Sequence, residues 1–180
     1  MNKIDPQTRE KIKLSGFNNL TKVLSFNLYD FCIAVNEQRK AEYIEYINQK
    51  YNAKKIQLIS EEVCKIIDAE ILNVSIQDYE PVGASTLVLM SDIAGGGWEA
   101  NHPSNQTSQV NMHLDKSHIT AHTYPDADDS NGICSFRVDI DIATCGEIIP
   151  LKAVNHLFRS FECDVVIIDY VVRGFTRNSE

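Results

Sequence analysis

The stretch Cys134-Ser135-Phe136-Arg137-Val138-Asp139-Ile140-Asp141-Ile142-Ala143 alternates without a break. Phe136, Val138, Ile140 and Ile142 fall on one face, and Ser135, Arg137, Asp139 and Asp141 on the other. Period two is the signature of a strand with one face packed and one face solvated. A parallel sheet covered on both sides would read as a continuous apolar run instead. This segment therefore predicts a sheet with an apolar layer on one side only.

Upstream, Leu24 to Tyr29 alternates in the same way, and Ile71 to Tyr79 does so after two helical stretches. The first helix is predicted from Glu37 to Tyr51, with Ala41, Ile44, Ile47 and Tyr51 at helical spacing. The second is predicted from Leu58 to Asp68, with Ser60 as its cap and Val63, Ile66 and Ile67 inward. Pro81-Val82-Gly83 breaks the chain before a strand from Ser85 to Met90. Ser91 to Met112, with Gly95-Gly96-Gly97 and Pro103, reads as a long polar loop within one domain, and residues 1–13 as a polar end. Ile119 to Tyr124 is a short strand stopped by Pro125. Pro150 opens a helix with Leu151, Val154, Leu157, Phe158 and Phe161 as its stripe, and Asp164 to Arg173 is a last strand. Strands and helices do not alternate strictly. The expected fold is α+β, a two-layer sandwich of a mainly antiparallel sheet with helices packed on one face.

The 180 residues suit a single domain, 1–180. Apolar residues at 43% and charged residues at 23% are those of an ordinary soluble protein. No apolar run approaches a membrane span, and the first residues lack a signal core, so a cytoplasmic location and no membrane partner are expected. The net charge of −8 argues against a nucleic-acid partner, whose phosphates need a basic face, and permits a cationic substrate. The five cysteines are odd in number and contain no C-x-x-C pair, which argues against a disulfide framework.

The chemistry concentrates in His113-Leu114-Asp115-Lys116-Ser117-His118-Ile119-Thr120-Ala121-His122-Thr123-Tyr124-Pro125 and in Ala143-Thr144-Cys145-Gly146-Glu147. The histidines lack further ligands at metal-site spacing, and the site is read without a metal. Ser117 lacks the Gly-x-Ser-x-Gly elbow of a serine hydrolase. Cys145, beside a glycine at a strand end, is a candidate reactive thiol.

Lys-Ser-His-Ile-Thr-Ala-His-Thr-Tyr-Pro (116–125) and Thr-Cys-Gly-Glu (144–147) stand between Gly-Phe-Asn-Asn-Leu-Thr-Lys (16–22) and Tyr-Val-Val-Arg-Gly-Phe-Thr-Arg (170–177). In this order they resemble the S-adenosylmethionine decarboxylases of the larger bacterial type, from about Lys13 to Arg177. The resemblance implies an inactive precursor that cuts itself between Lys116 and Ser117, giving a β chain 1–116 and an α chain 117–180. Ser117 becomes a pyruvoyl group whose carbonyl forms a Schiff base with the substrate amine. His122 matches the base used in processing, an apt role for an imidazole. Ser85 matches a serine that supports processing, and Cys145 the proton donor of the decarboxylation. Tyr79 and Tyr124 match aromatics that sandwich adenine.

Asp126 stands where the family places a glutamate on the ribose hydroxyls, a departure that shortens the reach. The larger type also continues past the motif at 170–177, so a natural short form and a missing tail are both open. The implied reaction converts S-adenosylmethionine to the aminopropyl donor for spermidine. Self-association into a dimer or higher oligomer and activation by Mg2+ are further implications. Two alternatives stand beside it: the same chemistry on ornithine or arginine, and an unprocessed homologue that acts by binding a partner enzyme.

Overall fold

The structure, a computed structural model, describes residues 21–92, 117–127, 130–145 and 148–173. Residues 1–13, the motif residues 16–20 and 174–177, the loop 93–112, Lys116, Gly146 and Glu147 lie outside the described residues. The elements run β1 (Thr21–Ile33), α1 (Glu37–Lys50), α2 (Ala53–Ile66), β2 (Ala69–Asp78), β3 (Ala84–Asp92), β4 (Ser117–Asp126) and β5 (Ile133–Cys145). A 3-10 turn (Pro150–Ala153), α3 (Val154–Ser160) and β6 (Val165–Arg173) complete them. The six strands form one sheet in the order β2-β3-β4-β5-β1-β6. Every neighbouring pair is antiparallel, so the expected α+β two-layer sandwich is what the chain forms.

Residues 134–143 are the middle of β5. Its inner face, Cys134, Phe136, Val138, Ile140, Ile142 and Thr144, is buried. The core continues through Leu24, Phe26 and Leu28 of β1, Ile119 and Ala121 of β4, and Val88 and Met90 of β3. Helices cover this face. The Tyr51 ring stacks on Phe136 and Phe161, with centroids 5.0 and 5.3 Å away. Phe158 meets Phe26 edge-on at 5.1 Å. The Cys64 sulfur lies 3.7 Å from that of Met90.

Several local expectations shift. β4 runs from Ser117 through Pro125 to Asp126 rather than stopping at Tyr124. Leu151 is exposed rather than part of a buried stripe. In α1 the packed residues are Tyr43 and Ile47, whereas Ala41 is exposed. The Tyr43 hydroxyl donates to Asp30 at 2.9 Å, so the larger aromatic turns inward with its polar end satisfied. Burial and the adjacent Asp30 push the Tyr43 phenol upward. The second helix starts at Ala53, five residues before Leu58. Asn52 caps it, accepting from the Lys55 N–H at 3.0 Å, while the Ser60 hydroxyl is buried and donates to the Ile56 carbonyl within the helix. In β2 the register shifts between Ile71 and Asn73, so the alternation is interrupted at Leu72 by a bulge. Among the described residues, no helix is long and apolar enough to cross a membrane.

Candidate active site

Strand β4 places two groups of candidate functional side chains. This strand begins at Ser117 and ends at Asp126. Ser117, Ile119, Ala121 and Thr123 point into the core and are buried. The intervening residues, His118, Thr120, His122, Tyr124 and Asp126, share the face away from the helices.

The first group stands where β4 starts and β5 ends. Ser117 is paired with Met90 of β3 and is only 4% exposed. Its hydroxyl oxygen accepts a hydrogen bond from the Cys145 N–H at 3.2 Å and lies 3.4 Å from the Cys145 sulfur. Cys145 is held there by its neighbour. Thr144 is buried, and its hydroxyl donates to the Ile148 carbonyl at 3.3 Å. That carbonyl also accepts from Lys22 Nζ at 3.1 Å. Alternation then turns Cys145 outward, where it is exposed. A hydroxyl and a thiol in contact offer a nucleophile and a proton carrier at one point.

The second group lies further along β4. Ser85 of β3 is directly opposite His122, and His122 directly opposite Asp139 of β5. The Tyr79 hydroxyl donates to Ser85 Oγ at 2.9 Å. Tyr79 follows β2 in a turn closed by its N–H on the Gly83 carbonyl at 2.8 Å. Gly83 has φ +107°, a conformation that suits glycine. Tyr124 is 6.4 Å from the His122 ring, and Asp126, opposite Ser135, is exposed at the strand end. Tyr79 and Tyr124 are 43% and 45% exposed, so each presents aromatic surface to solvent.

Thus Ser117 and Cys145 are brought together, and so are Tyr79, Ser85, His122 and Tyr124, with Asp126 two residues beyond Tyr124 on the same strand. One chain does not join the two groups. His122 is five residues beyond Ser117 on an extended strand, about 17 Å away, and on the opposite face. Arg137 and Asp139 join the second group unannounced by sequence. Alternation showed them on a polar face, but only the β4–β5 register sets them opposite Tyr124 and His122.

The fold and these residues define a class: a two-layer α+β protein with a buried serine against an exposed cysteine at the end of an antiparallel sheet. The sequence profile described as S-adenosylmethionine decarboxylase matches residues 41–174. An S-adenosylmethionine decarboxylase proenzyme of Hahella chejuensis is 51% identical over 177 residues, covering 94% of this chain. One of Pseudoalteromonas translucida is 54% identical over 173 residues, again 94% of this chain. The chain spans 65% and 64% of the lengths of these two relatives. The crystal structure of the adenosylmethionine decarboxylase from Aquifex aeolicus superposes with a TM-score of 0.51 at 15% identity, covering 91% of this chain and 98% of that one. That likeness speaks to the fold. The chain belongs to the S-adenosylmethionine decarboxylase family.

Proposed function

We propose that this chain is the precursor of a pyruvoyl-dependent decarboxylase acting on S-adenosylmethionine, cut between Lys116 and Ser117 into chains 1–116 and 117–180. The product would be the aminopropyl donor for spermidine biosynthesis. The observation that carries the reading is the contact between the buried Ser117 hydroxyl and Cys145. Relatives named as proenzymes support it.

In the processing step the Ser117 oxygen adds to the Lys116 carbonyl carbon. The bond from that carbon to the Ser117 nitrogen breaks, and the hydroxyl proton passes to the nitrogen, leaving an ester. Removal of the Ser117 α-proton then expels the Lys116 carboxylate from Cβ. Water releases the nitrogen as ammonia and leaves a carbonyl at Cα. The residues present fit such a group, because Ser117 is buried and the Cys145 thiol lies against its side chain. When formed, that group supplies the electron sink that decarboxylation of an α-amino acid requires. Cys145 returns a proton to the substrate carbon after CO2 has left. For the Mg2+ activation implied by the resemblance, no cluster of three or more His, Cys, Asp or Glu suited to a metal ion occurs among the described residues.

A base must come within about 3 Å of the proton it takes. His122 of the same chain stands about 17 Å from Ser117. We therefore include self-association in which a second copy brings its outer sheet face against the end of the sheet where Ser117 meets the exposed Cys145. That copy would contribute His122 and Ser85 to processing, and Tyr79, Tyr124 and Asp126 to adenosine binding.

The test is intact-protein mass spectrometry together with CO2 release measured side by side from S-adenosylmethionine, ornithine and arginine. The expected result is two chains, the second starting with a blocked residue 117, and release from S-adenosylmethionine. Ser117→Ala should leave a single chain. A single 20.3 kDa species in the unsubstituted protein, or release only from the basic amino acids, would refute the reading.

A further inference from the structure

We propose that Arg137 is a positioning residue for the substrate's adenine, acting through Tyr124. This rests on the reading of the outer face as the adenosine site. The register sets Tyr124 directly opposite Arg137, and alternation puts both on that face. The guanidinium carbon lies 4.2 Å from the centroid of the Tyr124 ring, well inside the range at which a cation is attracted to an aromatic face. Two residues along the same strand face, Asp139 Oδ2 lies 3.3 Å from Arg137 Nε. Nε is buried and has no partner aligned as a hydrogen bond, so charge rather than bond direction ties it to the carboxylate.

The consequence is a layered arrangement. The guanidinium lies over one face of Tyr124 and restrains the ring. Tyr124 is nonetheless 45% exposed, so its uncovered surface is open to a purine. Adenine stacking there would meet a ring already held, which spares the cost of ordering a mobile side chain on binding. Asp139 has a second role. The substrate carries a positive sulfonium, and an uncompensated guanidinium beside it would repel that charge. With Asp139 against it, Arg137 stiffens the ring at no net positive charge. A lysine would not substitute, because it lacks the plane that stacks.

Binding is tested apart from turnover by calorimetry of S-adenosylmethionine with the unprocessed Ser117→Ala protein. Adding Arg137→Ala should weaken binding about tenfold, within the range for a cation on an aromatic face. Arg137→Lys should not restore it. Arg137→Ala should cost little further once Tyr124→Ala is present, because both act through one ring. In processed enzyme carrying only Arg137→Ala, KM should rise by a similar factor with kcat little changed.

An unchanged affinity, full restoration by lysine, or additive effects of the Arg137 and Tyr124 substitutions would each overturn the inference while the decarboxylase reading stands. If Ser117→Ala fails to bind S-adenosylmethionine and the unsubstituted protein fails to decarboxylate it, the reading falls and this inference falls with it.

Discussion

At the scale of single residues, burial sorts identical side chains into different chemistry. Cys64 is wholly buried, and burial pushes its thiol up to about 12. Cys145 is exposed at the end of β5. Because the thiolate is the reactive species, iodoacetamide at pH 8 should label Cys145 in the folded protein and spare Cys64 until the chain is unfolded. Peptide mapping by mass spectrometry reads the difference, and early labelling of Cys64 would contradict the packing. Cys145→Ala should still process, since cleavage draws on Ser117 and a base. Its turnover should fall by about a hundredfold or more, the usual contribution of a positioned proton donor, as measured by CO2 release. Normal turnover would remove Cys145 from the mechanism. Gly83 sits in a left-handed backbone conformation. A Cβ there would approach the Thr123 carbonyl oxygen to 3.2 Å at φ +107°. Gly83→Ala should cost about 1–3 kcal/mol, seen as a lower melting temperature.

At the scale of elements, strands were easier to read than helix ends. β5 shows its period because one face is core throughout, and no turn or bulge interrupts it. β2 alternates in sequence from Ile71, but a bulge at Leu72 shifts its pairing with β3, which the period alone does not show. The start of α2 was misplaced because Ser60 has the composition of a cap but sits mid-helix, where its hydroxyl is satisfied by Ile56. The true cap, Asn52, belongs to a short junction whose second anchor is distant in sequence. The Ala53 N–H donates to Asp78 Oδ1 at 2.7 Å, a partner no local window contains. Asn52→Ala should therefore lower stability by about 1 kcal/mol, whereas an alanine at Gln57, on the same helix, should change it by less than about 0.5 kcal/mol. Chemical denaturation of both variants checks the contrast.

At the scale of the whole molecule, the sheet separates what the motif joins. Lys116 to Pro125 reads as one reactive segment, but extended backbone carries Ser117 and His122 to different places on opposite faces. If two copies share the site, each chain can lack one half. Coexpressed Ser117→Ala and His122→Ala chains should process the Ser117 of the second, using His122 of the first. Each variant alone should remain uncut. Gel electrophoresis with differently tagged chains reads this directly. Failure to cleave in the mixture, with both chains folded and associated, would place the base within one chain and refute the shared site.

The sequence by itself determined the layered α+β architecture, because period-two strands give a sheet with one apolar face and the amphipathic helical segments supply the layer that covers it. Its resemblance also singled out Ser117, His122 and Cys145 as the candidates to carry the chemistry, because they stand in motifs that span nearly the whole chain. The tertiary structure decided which of them meet. Register between β4 and β5 is fixed by packing across the core, so it alone sets Cys145 against Ser117, Asp139 opposite His122 and Arg137 on Tyr124. The alternation of residues 134–143 revealed a polar face but not its neighbours. A strand's own period contains no information about the residues that lie across from it.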